Sequence, residues 1–201
     1  MTRSDLSKRI LDLVFAVPTL ILFSPLVLAL AIVVRLDSPG PAFYRRRVMG
    51  RGGGQFDAFK FRTMHVNGDA LLAQRPELLA EFQRDQKLQD DPRVTRAGRW
   101  LRRLSLDELP QLVNVVRGEM SLVGPRMIVR SELPRYGDGA AELLSLRPGI
   151  TGLWQVSGRG DVQGEARARM ELEYVRTRSL RLDVRLLLQT IPAVFGGRGA
   201  R

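Results

Sequence analysis

The sequence predicts a mainly α-helical fold with a small irregular β element, divided into a membrane segment at 1–36 and a globular domain at 37–201. Three observations carry this: one long uncharged apolar run, one glycine-rich stretch with alternating apolar residues, and several segments with helical spacing. A chain of 201 residues suits one domain with an appendage. The absence of cysteine excludes disulfides, Cys-ligated zinc and thiol nucleophiles.

The apolar run extends from Leu13 to Val34 and would measure about 33 Å as a straight helix, which is a membrane length. Basic residues flank both of its ends, Lys8 and Arg9 on one side and Arg35 on the other. The positive-inside rule therefore selects no direction across the bilayer, and both ends are expected on the cytoplasmic side.

Ser24 and Pro25 lie near the middle of this run. Proline removes a backbone hydrogen bond and clashes with the carbonyl four residues earlier, while a serine hydroxyl can satisfy freed backbone groups. We therefore predict a re-entrant helix-break-helix that enters and leaves the same leaflet. A kinked single-pass helix is the alternative.

The formal net charge is +11, and the basic residues are mostly arginine. Arginine suits phosphate groups and anionic lipid headgroups, although a compositional bias of the genome would also account for it. Segments 93–104 and 180–195 have amphipathic patterns that predict helices on a membrane surface. Nucleic-acid binding would use the same charge pattern, but the apolar run favours a membrane.

Residues 42–64 alternate in polarity around a glycine cluster, which predicts a short hairpin or irregular strand pair. Lys60 and Arg62 fall on one side of the second strand, as an anion-binding edge or simply a solvated face. The glycine cluster lacks the Lys-Ser or Lys-Thr of a P-loop, so it is a weak nucleotide signature.

The segment 101–126 places Asp107 and Glu108 side by side. In one interpretation Ser105 and Glu108 form a capping box, with Ser105 as N-cap and Glu108 at the third helical position. In the other, the carboxylates are exposed beside Arg102 and bring together a divalent metal and a phosphate. Spacing alone favours capping.

A second informative run, 147–161, is rich in glycine and proline and carries polar groups along an irregular backbone. Such a loop is expected to bind a ligand. Its candidate binding residues are Arg147, Gln155, Arg159 and Asp161.

The motifs LDSPGP, KFRTM, DELPQL, MSLVGPR and RPGITGLWQVSGR follow in this order behind the Ser-Pro-interrupted apolar run. With them the chain resembles the bacterial sugar transferase family, the small monotopic phosphoglycosyl transferases. The resemblance implies a re-entrant helix in the bacterial inner membrane and a catalytic domain on the cytoplasmic face. It also implies transfer of a phosphosugar from a UDP-sugar to a polyprenol phosphate, such as undecaprenyl phosphate, with Mg²⁺ and release of UMP.

The resemblance implies that Asp107 is the nucleophile and that Glu108 coordinates Mg²⁺, with Asp107 beside it in the metal site. The arginine five places before the pair is Arg102. The family's Pro-Arg-Pro element becomes Pro125-Arg126-Met127, and a usual aspartate becomes Glu171. Together with charge and position, the expected phosphate and substrate contacts are Lys60, Arg62, Arg102, Arg126, Arg147, Gln155, Arg159 and Asp161.

A rival interpretation is a membrane-anchored basic protein that binds lipid or nucleic acid without catalysis, in which Asp107 and Glu108 only cap a helix. Metal-dependent turnover of a UDP-sugar separates the two. Our favoured interpretation expects anionic membrane lipid as a partner and no nucleic acid, and it leaves homo-oligomerisation open.

Overall fold

The computed structural model describes residues 3–85, 88–158 and 164–195. The fold is mostly helical, as the sequence predicts, and contains two small sheets. The helices are α1 (Arg3–Asp37), α2 (Gly68–Ala73), α3 (Pro76–Asp85), α4 (Arg96–Arg103), α5 (Gln111–Arg117), α6 (Ala140–Leu143), α7 (Leu153–Val156), α8 (Gly164–Thr177) and α9 (Leu180–Phe195). The strands are β1 (Phe43–Met49), β2 (Gln55–Phe61), β3 (Ser121–Val123) and β4 (Gly149–Thr151).

The apolar run forms one helix, α1, whose secondary structure continues through Ser24 and Pro25. The Ser24 hydroxyl donates to the Ile21 carbonyl at 2.8 Å. That carbonyl is the one for which Pro25 has no N–H to offer, so the serine satisfies the acceptor that the proline leaves open. By length and composition, Asp5–Asp37 could cross a membrane. The re-entrant path stays a prediction.

The N-terminal end of α1 is docked on the globular domain by polar contacts. The Arg9 guanidinium donates to the carbonyls of Val115 and Val116 at 2.5 and 2.7 Å. Asp12, fully buried, accepts from the Ser121 hydroxyl at 2.9 Å and from the Leu122 N–H at 3.0 Å. This end of α1 is therefore fixed to α5 and β3.

The C-terminal end of α1 is held by Arg62, which is 6% exposed. Its guanidinium donates to four backbone carbonyls, those of Val34, Ser38, Pro39 and Pro41. A charged donor that satisfies several backbone carbonyls stabilises the turn that follows α1. Between the two docked ends, Ile21 and Leu22 are 68% and 75% exposed.

The predicted hairpin is confirmed, because β1 and β2 pair antiparallel with Tyr44 opposite Lys60 and Arg46 opposite Ala58. The second sheet, in which β3 and β4 pair in parallel, has no counterpart among the sequence predictions. It depends on close backbone approach: a Cβ on Gly149 would collide with the backbone of Gly124.

Two apolar clusters form the core. The larger one joins the β1–β2 hairpin, α5, β3, α8 and α9 around residues such as Val48, Ala58, Val115 and Met120. The smaller one gathers Leu30, Val34, Ala42, Phe61 and Leu101 where α1 leaves the domain surface. Leu109 packs against both clusters, so the segment that carries Asp107 and Glu108 is anchored between them.

Candidate functional site

The acidic pair lies on a single 3₁₀ turn, Leu106–Glu108, between α4 and α5. Ser105, which precedes it, has φ 54° and is the one non-glycine residue with positive φ in the described part of the chain. Such a conformation is costly for a residue with a side chain and is often retained at functional sites. The capping-box interpretation is wrong, because Ser105 is left-handed and makes no side-chain capping bond to this turn.

Glu108 points to the hairpin. Its Oε1 accepts from the Lys60 ammonium at 2.5 Å, and both side chains are partly exposed. The predicted anion-binding lysine therefore lies beside the acidic pair.

The surroundings of Asp107 oppose its negative charge. Burial, followed by repulsion from Glu108, raises the pKa of Asp107 to about 6, against the attraction of Lys60 and Arg102. A carboxylate that is costly to ionise and lies next to a second carboxylate lacks part of its positive counter-charge. Added positive charge at this turn would lower that pKa.

Arg102, on the last turn of α4, supplies part of the local positive charge. Its Nε donates to the Thr63 hydroxyl at 2.9 Å, which orients the guanidinium. Burial lowers the pKa of Arg102, and the nearby Asp107 opposes that shift. Thr63 therefore joins the site, although the sequence patterns did not single it out.

The acidic pair is a candidate metal site, because adjacent carboxylates are donors that Mg²⁺ accepts. Among the described residues there is no group of three or more His, Cys, Asp or Glu side chains close enough to hold a metal alone. Mg²⁺ is commonly held by one or two carboxylates together with substrate phosphates. Asp107 and Glu108 match that donor set, and their mutual repulsion is what a divalent cation would relieve.

A second cluster surrounds Arg126, in the loop after β3. Its guanidinium lies 5.6 Å from the Trp154 ring centroid, and that of Arg167 lies 5.5 Å from the same ring. Glu132 accepts from both arginines, at 3.4 and 3.1 Å. Burial and repulsion from Arg167 lower the pKa of Arg126, whereas Glu132 opposes that shift.

The two departures from the family pattern, Met127 and Glu171, both help to hold this loop. Met127 is 7% exposed and belongs to the larger core cluster, so apolar packing anchors the loop. Glu171 is 1% exposed, and its Oε2 accepts the Arg126 backbone N–H at 2.8 Å. The longer acid therefore reaches the loop backbone directly.

The β1–β2 hairpin connects the two clusters. Because directly opposed residues of an antiparallel pair point to the same face, Tyr44, Lys60, Arg46 and Ala58 share one face of the sheet. Lys60 contacts Glu108 there, and Arg46 is close enough to Arg126 to lower its pKa. The sequence motifs give Arg46 no role, although strand pairing alone could have placed it beside Lys60.

Other predicted phosphate contacts lie elsewhere. The Arg62 guanidinium donates to backbone carbonyls, so we infer that Arg62 stabilises the turn after α1. Arg147 donates to the Gly118 carbonyl at 2.7 Å and lines a pocket with Asp5, Lys8 and Asp183, beside the N-terminal end of α1. Gln155, on α7, follows Trp154, and its Oε1 is buried without a partner among the described residues. Arg159 and Asp161 lie outside the described residues.

Comparison with known proteins decides the family. A family model described as bacterial sugar transferase matches residues 3–197. The chain belongs to the bacterial sugar transferase family. It is 47% identical over 199 residues to the exopolysaccharide production protein ExoY of Sinorhizobium fredii, covering 97% of this chain and 88% of that protein.

Two other relatives of this sugar transferase have names that specify a reaction. One is the undecaprenyl-phosphate galactose phosphotransferase of Salmonella typhimurium, 46% identical over 96% of this chain and 41% of that protein. The other is the UDP-glucose:undecaprenyl-phosphate glucose-1-phosphate transferase of Caulobacter vibrioides, 42% identical over 95% of this chain and 70% of that protein. The chain thus spans less than half of the Salmonella relative.

Proposed function

We propose that this protein transfers a sugar 1-phosphate from a UDP-sugar to a polyprenol phosphate such as undecaprenyl phosphate, as a membrane step in exopolysaccharide or related glycoconjugate assembly. Support comes from membership of the sugar transferase family, whose named relatives act on such substrates. The single observation that carries the mechanism is the strained turn at 105–108, where Asp107 has a raised pKa beside Glu108, Lys60 and Arg102.

In the first step Asp107 attacks the sugar-bearing phosphorus of the UDP-sugar. A bond forms between a carboxylate oxygen and this phosphorus, the bond from the phosphorus to the bridging oxygen breaks, and UMP leaves. In the second step an oxygen of the polyprenol phosphate attacks the same phosphorus and releases Asp107. The product is a polyprenyl diphosphate sugar, and the carboxylate is regenerated.

Positive charge is required because a carboxylate and a diphosphate repel each other. Glu108 and Asp107 are the residues that would hold Mg²⁺, which neutralises phosphate oxygens when bound. Lys60 and Arg102 are positioned to contact phosphate from the hairpin and from α4. The Arg126, Arg167 and Arg46 group provides further charge on the same face of the hairpin.

The first experiment detects the intermediate. The protein is incubated with a UDP-sugar and Mg²⁺ without lipid, and its intact mass is measured. We expect a phosphosugar adduct and one equivalent of UMP, and neither from Asp107→Asn; Asp69→Asn, at a highly exposed carboxylate, is the matched control. Release of UMP only when polyprenol phosphate is present would contradict the two-step scheme in favour of direct transfer.

The metal assignment has its own test. Glu108→Gln is expected to raise the Mg²⁺ concentration needed for half-maximal rate by about tenfold or more, because a neutral amide is a weaker ligand than a carboxylate. A Mg²⁺ dependence equal to that of the unaltered protein would exclude Glu108 as a ligand.

We further propose that the protein is monotopic in the bacterial inner membrane, with its catalytic domain on the cytoplasmic face. Supporting this, both ends of α1 contact the same domain, through Arg9 and Arg62, while its middle exposes Ile21 and Leu22. Tags at the two chain ends are expected to be protected alike from an impermeant reagent added outside cells. Labelling of one tag but not the other would establish a single-pass helix.

The domain surface also supports contact with anionic lipid. Trp100 of α4 is 49% exposed between Arg99 and Arg103, and the N–H of Ala97 at the start of α4 donates to the Asp37 carboxylate at the end of α1. This arrangement places a basic, aromatic helix face next to the exit of α1.

A further inference from the structure

Asn114 lies on α5, shortly after the acidic turn, and its side chain is fully buried. Its Oδ1 accepts the Phe59 N–H at 3.0 Å, and its Nδ2 donates to the Asp57 carbonyl at 2.8 Å. These are backbone groups of alternate residues on β2, which is the pattern that an adjacent strand would use. The amide of Asn114 therefore takes the place of a neighbouring strand at this edge of the hairpin.

This contact fixes the position of β2 along α5. Phe59 is the residue before Lys60, and the guanidinium of Arg117, at the end of α5, lies 5.1 Å from the Phe59 ring centroid. Because a strand advances about 3.3 Å per residue, any sliding of β2 on α5 would move the Lys60 side chain by a similar distance. The contact between Lys60 and Glu108 thus depends on this register.

The orientation of the Asn114 amide is itself determined. Nδ2 also donates to Glu119 Oε2 at 2.7 Å, so reversing the amide would place its oxygen against both a carboxylate and the Asp57 carbonyl. The Asn114 backbone carbonyl accepts from the N–H groups of Glu119 and Met120, at 3.0 and 3.3 Å, which closes the end of α5. The residue is held at both its side chain and its backbone.

We propose that Asn114 is a positioning residue for phosphosugar transfer, which sets the register of β2 on α5 and so holds Lys60 against Glu108 and beside Asp107. It touches neither substrate nor metal. The proposal rests on the roles proposed above for Lys60 and the acidic pair.

The test is a double-mutant cycle between Asn114→Ala and Lys60→Met, with Asn67→Ala, at an exposed asparagine, as the matched control. Misplacing a reacting group by about 1 Å can cost up to 10²-fold in rate, so we expect Asn114→Ala to lower kcat about tenfold. In the Lys60→Met background the same change should cost less than about twofold, because the group that it positions is gone.

The Lys60→Met background also separates positioning from a general loss of folded protein, because a smaller folded fraction would lower the rate by the same factor in both backgrounds. Equal fold losses in both backgrounds would therefore overturn the proposal.

Failure of the two proposals is distinguishable. If Lys60→Met alone leaves the rate unchanged, the role of Lys60 fails and the role of Asn114 fails with it. If Lys60→Met is slow but Asn114→Ala adds its full effect, only the positioning role fails.

A milder variant keeps the test decisive if Asn114→Ala does not fold. Glu119→Ala removes only the acceptor that orients the amide, and Glu119 is partly exposed. We expect a two- to fivefold loss, on the order of one weakened hydrogen bond, which disappears in the Lys60→Met background. A Glu119→Ala protein with an unchanged rate would count against the proposal.

Discussion

Asp107 and Glu132 are both partly buried carboxylates with arginine nearby, yet their surroundings shift the carboxyl pKa in opposite directions. Glu132 accepts from the Val129 N–H at 3.1 Å and pairs with Arg126 and Arg167. The backbone hydrogen bond and these two arginines outweigh the cost of burial, so the pKa of Glu132 is lowered. Glu132 is a satisfied carboxylate that stabilises a loop.

At Asp107 the balance is reversed. Burial and the neighbouring Glu108 raise its pKa to about 6, and the turn that carries it begins at a left-handed serine. Groups whose environment opposes their charge concentrate at functional sites, because substrate or metal supplies what is missing. The comparison shows that nearby arginines alone do not lower the pKa of a carboxyl, because burial and neighbouring acids enter the same balance.

The largest effect is expected from a substitution at Asp107. Asp107→Asn removes the attacking oxygen while preserving size, and we expect transfer to fall by about 10³-fold or more with little change in thermal stability. The measurement is transfer of labelled sugar phosphate to undecaprenyl phosphate. Retention of more than a tenth of the activity would show that the carboxylate is not the nucleophile.

The next largest effect is expected at Lys60, the cation that Asp107 and Glu108 share. Lys60→Met should lower the rate by about 10 to 10² and shift the acid limb to higher pH, since loss of a positive charge raises the pKa of Asp107 further. Arg47→Met, at an exposed cation of the opposite strand, is the control. An acid limb at lower pH would contradict this electrostatic assignment.

The sequence predicted the long apolar helix near the N-terminus, the hairpin and the mainly helical character of the fold. These follow from apolar length, alternation and short-range motifs, which are properties of neighbouring residues. Ser105 and Glu108 have the spacing of a capping box, but the segment between the packed Leu101 and Leu109 adopts a 3₁₀ turn with a left-handed start.

Partners that are distant in sequence were harder to predict. Arg62 was expected at a phosphate, but it contacts carbonyls more than twenty residues earlier in the chain. Asn114 meets β2 through contacts of a similar kind. Sequence periodicity does not indicate which buried polar side chain will contact which backbone group. These two roles could therefore be recognised only from the three-dimensional structure.

Glu132→Gln should lower the free energy of unfolding more than it lowers the rate of transfer. Hydrogen bonds to a charged group contribute about 1.5–3 kcal/mol each, so weakening those from Arg126 and Arg167 is expected to cost about 2 kcal/mol in free energy of unfolding. Denaturant unfolding measures this, and the folded fraction should keep most of its kcat. A fall in kcat comparable to that of Asp107→Asn would remove the distinction between the two carboxylates.

The smallest expected effect tests Glu171, a buried acid of α8 that contacts the Arg126 loop and, like Asp107, has a raised pKa. Burial raises its pKa to about 7, from an ordinary value of 4.5. Because the folded state binds this proton more tightly than the unfolded state, its contribution to stability is full below pH 4.5 and is lost as the pH rises through about 7.

The unaltered protein should therefore lose a few degrees of Tm between about pH 5 and pH 8, and Glu171→Gln should lose less, because the amide stays neutral. Glu173→Gln, at an exposed acid of the same helix, is the control and should behave like the unaltered protein. Parallel Tm curves for all three proteins would mean that Glu171 keeps its charge across this range. It would then be a satisfied carboxylate like Glu132, and Asp107 would differ from both.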